Sequence, residues 1–261
     1  MEIQQHFLNC TDQWGRREMA FGASVMIGLV LIVLIYGCIE VPSSNVAYVE
    51  ELTVHCLLRT DIGPSDVYIE RTLDIEEPNY DGAVSGAIVR LSGDGREAIL
   101  SEVLDQPGRY RVSAPFRIHN SSTYTLDVRD QSGRTLSAST TVPGYFQILY
   151  PAYGDSVAKS LFLRLRWSRS EGAEEYSIHV TQGSSGTFQS YTYSDTVFYI
   201  FTDELSREGQ VWIDIYAVDT NYTGYTRSDP EDPDSPDVNH IPGAKGVFGS
   251  AAKTFGFFYF K

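Results

Sequence analysis

The chain has 261 residues, 42% of them hydrophobic, which is enough for two domains of about 100 residues with cores of their own. Its formal net charge of -14 excludes nucleic-acid binding, because contact with a phosphate backbone needs clustered Lys and Arg. Tyr (17) and Phe (13) are abundant, which favours strands over helices.

The first predicted element is an uncharged apolar segment, residues 19–39, preceded by Arg16 and Arg17. A positive lead, an apolar run and a small residue at its end form the layout of a secretory signal. The end of the segment, Ile35-Tyr36-Gly37-Cys38, resembles the lipobox of bacterial lipoproteins. This resemblance implies that Cys38 is lipidated and becomes the first residue of the mature chain.

A second interpretation of residues 1–38 is an uncleaved membrane anchor, because the apolar segment is long enough to cross about 30 Å of hydrocarbon as a helix. In both cases the arginines stay inside and the rest of the chain lies outside the cytoplasm, in the cell envelope. Ile39, and not Asp, follows Cys38, so the Asp-type signal that retains lipoproteins in the inner membrane is absent. The outer membrane is therefore favoured.

Beyond the anchor, short alternating apolar runs separated by turn residues predict a β-sandwich in residues 39–143. Cys56 lies in an apolar alternating run, which predicts a buried structural thiol. The predicted strands of this half are centred on Leu52–Leu58, Ala87–Leu91, Tyr110–Val112, Tyr124–Val128 and Leu136–Ala138.

A second alternating series follows Pro143-Gly144, the best internal boundary, and predicts another sandwich in residues 144–261. Residues 229–240, rich in proline and acids, are predicted to form a long loop. We therefore expect an all-β fold with two immunoglobulin-like sandwiches behind the anchor. The strands of the second half are centred on Leu161–Trp167, Tyr176–Val180, Val197–Phe201, Val211–Ala217 and Phe255–Phe260.

The second half resembles a fibronectin type III domain, since Trp167 is followed by Gly172-Ala173 and a strand tyrosine, Tyr176. Over residues 38–261 the chain is similar to a large uncharacterised family of bacterial outer-membrane lipoproteins. The resemblance implies a transthyretin- or carboxypeptidase-regulatory-like sandwich followed by a fibronectin-like half. It also implies a setting near TonB-dependent transporters, and it implies no catalytic residues. The segments that carry it include Gly86-Ala87-Ile88-Val89, Gly108-Arg109-Tyr110, Thr123-Tyr124-Thr125-Leu126, Ala217-Val218-Asp219-Thr220-Asn221-Tyr222 and Gly246-Val247-Phe248-Gly249-Ser250.

One group of residues matches the sequence motif of a hydrolase: Gly154-Asp155-Ser156, with Asp237 and His240 downstream. Esterases of the GDS type use such a serine, with the histidine as base and the aspartate orienting it. The chain offers no helical periods near Ser156 and no convincing oxyanion donors. We therefore expect residues 154–155 to form a turn, predict that the protein is not an enzyme, and keep the esterase as a remote alternative.

An acidic cluster is the candidate metal site, because oxygen-rich loops on extracellular sandwiches bind Ca²⁺. The prolines between its acids and the absence of Gly-centred ligand spacing favour a solvated loop instead. No other cofactor is expected. The candidate ligands are Asp229, Glu231, Asp232, Asp234 and Asp237.

The candidate ligand-binding residues lie in the second half. Arg164 and Arg166 should share one strand face, opposite Trp167, where they would hold an anion, pair with the acidic loop or simply be solvated. Tyr191 and Tyr193 belong to a tyrosine-rich region whose exposed rings would stack on sugars or anchor a protein.

Together these patterns predict a membrane-tethered, non-catalytic binding or accessory module, working beside an outer-membrane transporter or another envelope protein. The alternative is a protein that captures glycans or peptides through the tyrosine-rich second half.

Overall fold

The computed structural model describes residues 48–74, 81–158, 160–182, 187–201, 205, 208–228 and 241–261, and for 187–193 it describes the backbone only. The predicted anchor with Cys38, and the acidic loop 229–240, lie outside these residues. No helix among the described residues is long and apolar enough to cross a membrane. Val49–Lys261 is one compact unit.

The first half forms strands wherever apolar residues alternate, because successive side chains of a strand point to opposite faces. In β1 (Leu52–Arg59) the alternate residues Leu52, Val54, Cys56 and Leu58 are buried, as predicted. The other strands of this half are β2 (Gly63–Pro64), β3 (Val67–Arg71), β4 (Ile88–Gly93), β5 (Arg96–Glu102), β6 (Arg109–Val112), β7 (Thr123–Arg129) and β8 (Thr135–Thr141).

Among its described residues, the second half contains strands and one short helix, α1 (Thr220–Arg227). The sequence did not predict α1, because Thr, Asn, Tyr and Gly are poor helix formers. Its start is fixed by Asp219, whose side chain accepts the backbone N–H of Tyr222. The strands are β9 (Ile148–Tyr150), β10 (Ser156–Val157), β11 (Phe162–Trp167), β12 (Glu175–Gln182), β13 (Thr187–Tyr193), β14 (Val197–Phe201), β15 (Gly209–Val218) and β16 (Ala244–Phe260).

Two sheets contain these strands. The large sheet has the order β13-β12-β15-β16-β1-β3-β6-β5-β4-β7-β8, with β2 beside β1 and β10 beside β16, and the small sheet has the order β14-β11-β9. The small sheet packs its apolar face on the large one, where the rings of Trp167 and Tyr176 lie 5.3 Å apart. The predicted all-β, immunoglobulin-like sandwich class is therefore confirmed.

The long strand β16 belongs to both halves of the chain. Its first part, Ala244 to Ala251, pairs in parallel with β1, and the part from Ala251 to Phe260 pairs antiparallel with β15. The approach of β16 to β1 is close, since a Cβ on Gly246 (φ +96°) would overlap the Val54 carbonyl oxygen. The boundary at 143 and 144 stays a prediction about independent domains, but the first strand of one half is completed by the last strand of the other.

Candidate functional site

Strand β11 presents Arg164 and Arg166 to solvent, while Trp167 is buried on the opposite face of the strand. This arrangement confirms the orientation predicted from the alternation. The small sheet therefore has one apolar face in the core and one outer face that carries both arginines.

Aromatic side chains surround the two arginines on the outer face of the small sheet. Residues directly opposite each other on antiparallel strands share a face, and Arg164 lies opposite Tyr199 of β14, while Arg166 lies opposite Tyr150 of β9. At one end, Phe162 pairs with Phe201 at a ring distance of 4.9 Å. We call these six residues, all exposed, the arginine face.

Among the arginines that the structure describes, those of the arginine face differ from most others in having no described acidic neighbour. Arg59 pairs with Asp61 at 2.7 Å, and Arg134 pairs with Asp130 at 2.6 Å. Within the part of the chain that the structure describes, Arg164 and Arg166 form no ion pair. No acid among the described residues neutralises these two positive charges, and the acidic stretch 229–240 lies outside those residues.

A second exposed surface lies on the outer face of the large sheet. The inward side chains of β15 and β16, such as Ile213 and Phe258, enter the core, and their neighbours in sequence face solvent. The solvent-facing side chains of β15 and β16 meet because Trp212 pairs with Phe257. The ring of Tyr153, in the turn before β10, packs against Phe257 as well. We call this group the aromatic strip: Tyr153, Trp212, Phe255, Phe257 and Tyr259.

The rings of the aromatic strip form a continuous chain of contacts. The Tyr153 and Phe257 centroids are 4.4 Å apart, those of Trp212 and Phe257 are 5.1 Å apart, and those of Phe257 and Tyr259 are 5.7 Å apart. The planes cross at 73°, 45° and 89° respectively, so the rings do not form one flat platform. Trp212, Phe255 and Tyr259 are 43%, 58% and 44% exposed, which is a large apolar area for a surface.

A charged group borders the aromatic strip on the same face. Lys253 lies 3.1 Å from Asp214 and 3.6 Å from Asp61, and Arg59 donates a hydrogen bond of 2.8 Å to the Tyr216 hydroxyl. Burial holds the pKa of the neighbouring His179 below its usual value. This group therefore links the end of β1 to the middle of β15 and β16, and among the described residues its positive charges already face carboxylates.

Tyr191 and Tyr193, the other predicted ligand-binding residues, lie in β13. The backbone register sets Tyr191 opposite Ile178 and Tyr193 opposite Tyr176, and both of these partners are core residues of β12. The side chains of the two tyrosines are outside the described residues.

The predicted turn before Ser156 is confirmed. Gly154 has φ +80°, the Asp155 carboxylate accepts the backbone N–H of Ala152 at 2.8 Å, and the Asp155 N–H donates to the Ala152 carbonyl at 3.0 Å. Ser156 is exposed in β10 and pairs with Tyr259. His240 lies outside the described residues, so the esterase alternative stays untested.

The candidate calcium ligands also lie outside the described residues. Among the residues that the structure does describe, no three His, Cys, Asp or Glu side chains are grouped as a metal site would need. Cys56 is a buried free thiol, as predicted, and burial raises its pKa to about 12.

The aromatic strip is the candidate site that sequence reasoning missed. Residues 255–260 were predicted to be a closing strand, with no distinction between their two faces. The available signal was that Phe255, Phe257 and Tyr259 alternate with Phe258 and Phe260, so both faces of the strand carry rings. In a two-layer sandwich a strand buries one of its two rows against the other sheet, so the other row faces solvent or a partner.

Comparison with known proteins adds a family and distant structural similarities. The chain is similar to the crystal structure of FN3tt (17% identity, TM-score 0.21, covering 44% of this chain and 90% of that one). It is also similar to fibronectin(III)-like modules of Clostridium thermocellum CbhA (12%, TM-score 0.27, 80% and 94%). A third similar structure is a two-domain fibronectin type III segment of chicken tenascin (10%, TM-score 0.24, 79% and 96%).

No curated protein matches the chain. The family profile described as "Domain of unknown function (DUF4249)" matches residues 39–245, which is most of the chain. The protein therefore belongs to the DUF4249 family.

Proposed function

We propose that the protein is a membrane-tethered, extracytoplasmic, non-catalytic module that binds an envelope protein through the aromatic strip. The observation that carries the proposal is a group of five contacting rings on one face of the large sheet, four of which are exposed and one of which, Phe257, is half-buried. Soluble proteins rarely expose a contiguous apolar patch of this kind unless it binds something.

The composition and geometry of the strip favour a protein over a glycan. Tyr, Trp and Phe are the residues enriched in the cores of protein interfaces, where a few buried rings supply most of the binding energy. A sugar stacks with its flat face on a ring, and a row of sugars needs rings turned the same way. The Tyr153 and Phe257 planes cross at 73° and those of Phe257 and Tyr259 at 89°, so the strip is better matched to irregular apolar side chains.

The tether is supported by the sequence around Cys38. The apolar segment ends at Gly37-Cys38, and the match to the family begins immediately afterwards, at residue 39. A globular part that begins directly after a lipidated cysteine would sit at the membrane surface, where an integral membrane protein is within reach.

Site-directed photo-crosslinking tests the binding surface. A photoreactive phenylalanine analogue replaces Tyr259 in the full chain, and the cells are irradiated before their membranes are solubilised. We expect one discrete adduct with an envelope protein identified by mass spectrometry, and we expect Trp212→Ser in the same chain to abolish it. Tyr145 is the matched control, because it is a 75% exposed tyrosine outside the strip.

Three outcomes would refute the proposal: no adduct from position 259, the same adduct from position 145, or an adduct that survives Trp212→Ser. Retention of the protein on an immobilised polysaccharide, lost in Trp212→Ser, would assign the strip to glycan capture instead.

The tether has its own test, the intact mass of the N-terminus of protein extracted from membranes. We expect an acylated Cys38 at the N-terminus of the wild type and no acylation in Cys38→Ala. An unprocessed chain with a free Cys38 thiol would mean a spanning anchor and would remove the lipoprotein part of the proposal.

A further inference from the structure

We propose that the arginine face is a second binding site, specific for a carboxylate-rich peptide segment of a partner protein. It lies on the small sheet, on the opposite side of the sandwich from the aromatic strip. The inference does not depend on the strip, because it rests on different residues and predicts a different ligand chemistry.

The arginine face places two positive charges on a protein that is strongly acidic overall. The chain carries a formal net charge of -14, yet Arg164 and Arg166 face solvent without an ion pair among the described residues. By contrast, Arg109 and Arg111 both pair with Asp66. Two neighbouring guanidinium groups that no described acid neutralises present a local site for an anion.

The two arginines are spaced to match the side chains of an extended peptide. They are two residues apart on one strand, so their Cα atoms are separated by about 7 Å. An extended peptide repeats its side chains on one face at the same distance, so carboxylates at alternate positions would meet both arginines. Each guanidinium can bind one carboxylate through two parallel hydrogen bonds.

The aromatic side chains around the two arginines distinguish this site from a merely basic surface. Tyr199 and Tyr150 flank the arginines, and Phe162 and Phe201 close one end. Their rings would cover the apolar parts of a bound peptide and lower the dielectric around the ion pairs, which strengthens them. The Phe162 ring crosses those of Tyr199 and Phe201 at 80° and 59°, so this surface, too, is no flat platform for sugars.

The test measures binding of fluorescein-labelled poly-L-glutamate to the purified full chain in detergent micelles, by fluorescence anisotropy. We expect saturable binding that weakens as salt is added, and a loss of about tenfold or more in affinity in Arg164→Gln/Arg166→Gln. The matched control is Arg117→Gln/Arg129→Gln, which removes the same charge from two exposed arginines of the first half, and we expect it to bind like wild type. Tyr199→Ser should weaken binding several-fold without a change of charge.

Equal losses in the two double variants would show general charge attraction and overturn the site. Absence of saturable binding by the wild type would do the same. Binding of polygalacturonate in preference to poly-L-glutamate would assign the face to acidic glycans and overturn the peptide. Circular dichroism of each variant separates loss of binding from loss of fold, since these exposed side chains should leave the spectrum unchanged.

Discussion

Thr140 Oγ1 donates a hydrogen bond to the carboxylate of Asp219, and this contact joins β8 of the first half to the residue that begins α1 in the second. Ser250 of β16 completes a buried triangle, with its hydroxyl 2.8 Å from that of Thr140 and 3.1 Å from the carboxylate. Asn221 reinforces the junction by donating to the carbonyl oxygens of Ser139 and Phe248. The two halves are thus connected by a buried polar network in addition to the shared strand.

The pH dependence of stability should report on this triangle. Burial raises the pKa of the Asp219 carboxyl, although hydrogen bonds from Thr140 and Tyr222 oppose the shift. A raised pKa in the folded state means that stability from this group is fully present below the unfolded pKa and is lost as the pH rises through the folded pKa.

Asp219→Asn should therefore weaken the dependence of the free energy of unfolding on pH. Its amide cannot ionise and can still accept the Tyr222 N–H, so the free energy of unfolding should fall less than in wild type as the pH rises from about 4. Urea unfolding across a pH series measures this. Asp219→Ala, which loses the helix cap and the network, should cost about 2 kcal/mol or more at every pH. Parallel profiles for wild type and Asp219→Asn would contradict the prediction.

Close packing of β16 on β1 can be tested at Gly246. Gly246→Ala should cost roughly 3–5 kcal/mol, because the new Cβ would overlap the Val54 carbonyl and the φ of +96° is unfavourable for alanine. Gly133→Ala is the matched control, since Gly133 has a φ of +90° and nothing within 4 Å of the added Cβ. It should cost only about 1 kcal/mol. Similar unfolding midpoints in urea for the two variants would show that the strain comes from φ alone.

The shared strand predicts that both halves unfold together. The fluorescence of Trp167 and Trp212 reports on the second half, and alkylation of Cys56 reports on β1 in the first. We expect the two signals to have the same urea midpoint, because removing β16 takes the partner from β1 and β15 at once. Two separated transitions would mean that residues 39–143 and 144–261 are independent domains.

Cys56 should resist modification in the folded protein. Burial raises the pKa of its thiol to about 12, and only the thiolate reacts with iodoacetamide. Mass spectrometry of the peptide that contains Cys56 should show slow alkylation at neutral pH and fast alkylation in denaturant. Fast labelling in the native protein would mean that β1 opens locally without global unfolding.

The sequence alone determined the strands with regular alternation. The apolar rows of β1, β7, β11 and β12 were visible because the period of two follows from the geometry of a single strand, whatever it packs against. The same rule placed Arg164 and Arg166 on the face opposite Trp167. The all-β class followed from local residue choice in the same way.

Tertiary structure alone decided which faces meet. The parallel pairing of β1 with β16, the register that aligns Trp212 with Phe257, and the rings around the two arginines join residues far apart in the chain. No local period contains such pairings, because they depend on how the sheets curl and on which strand edges are left open. The helix α1 depends in the same way on Asp219, whose capping position is fixed by Thr140 and Ser250 from distant strands.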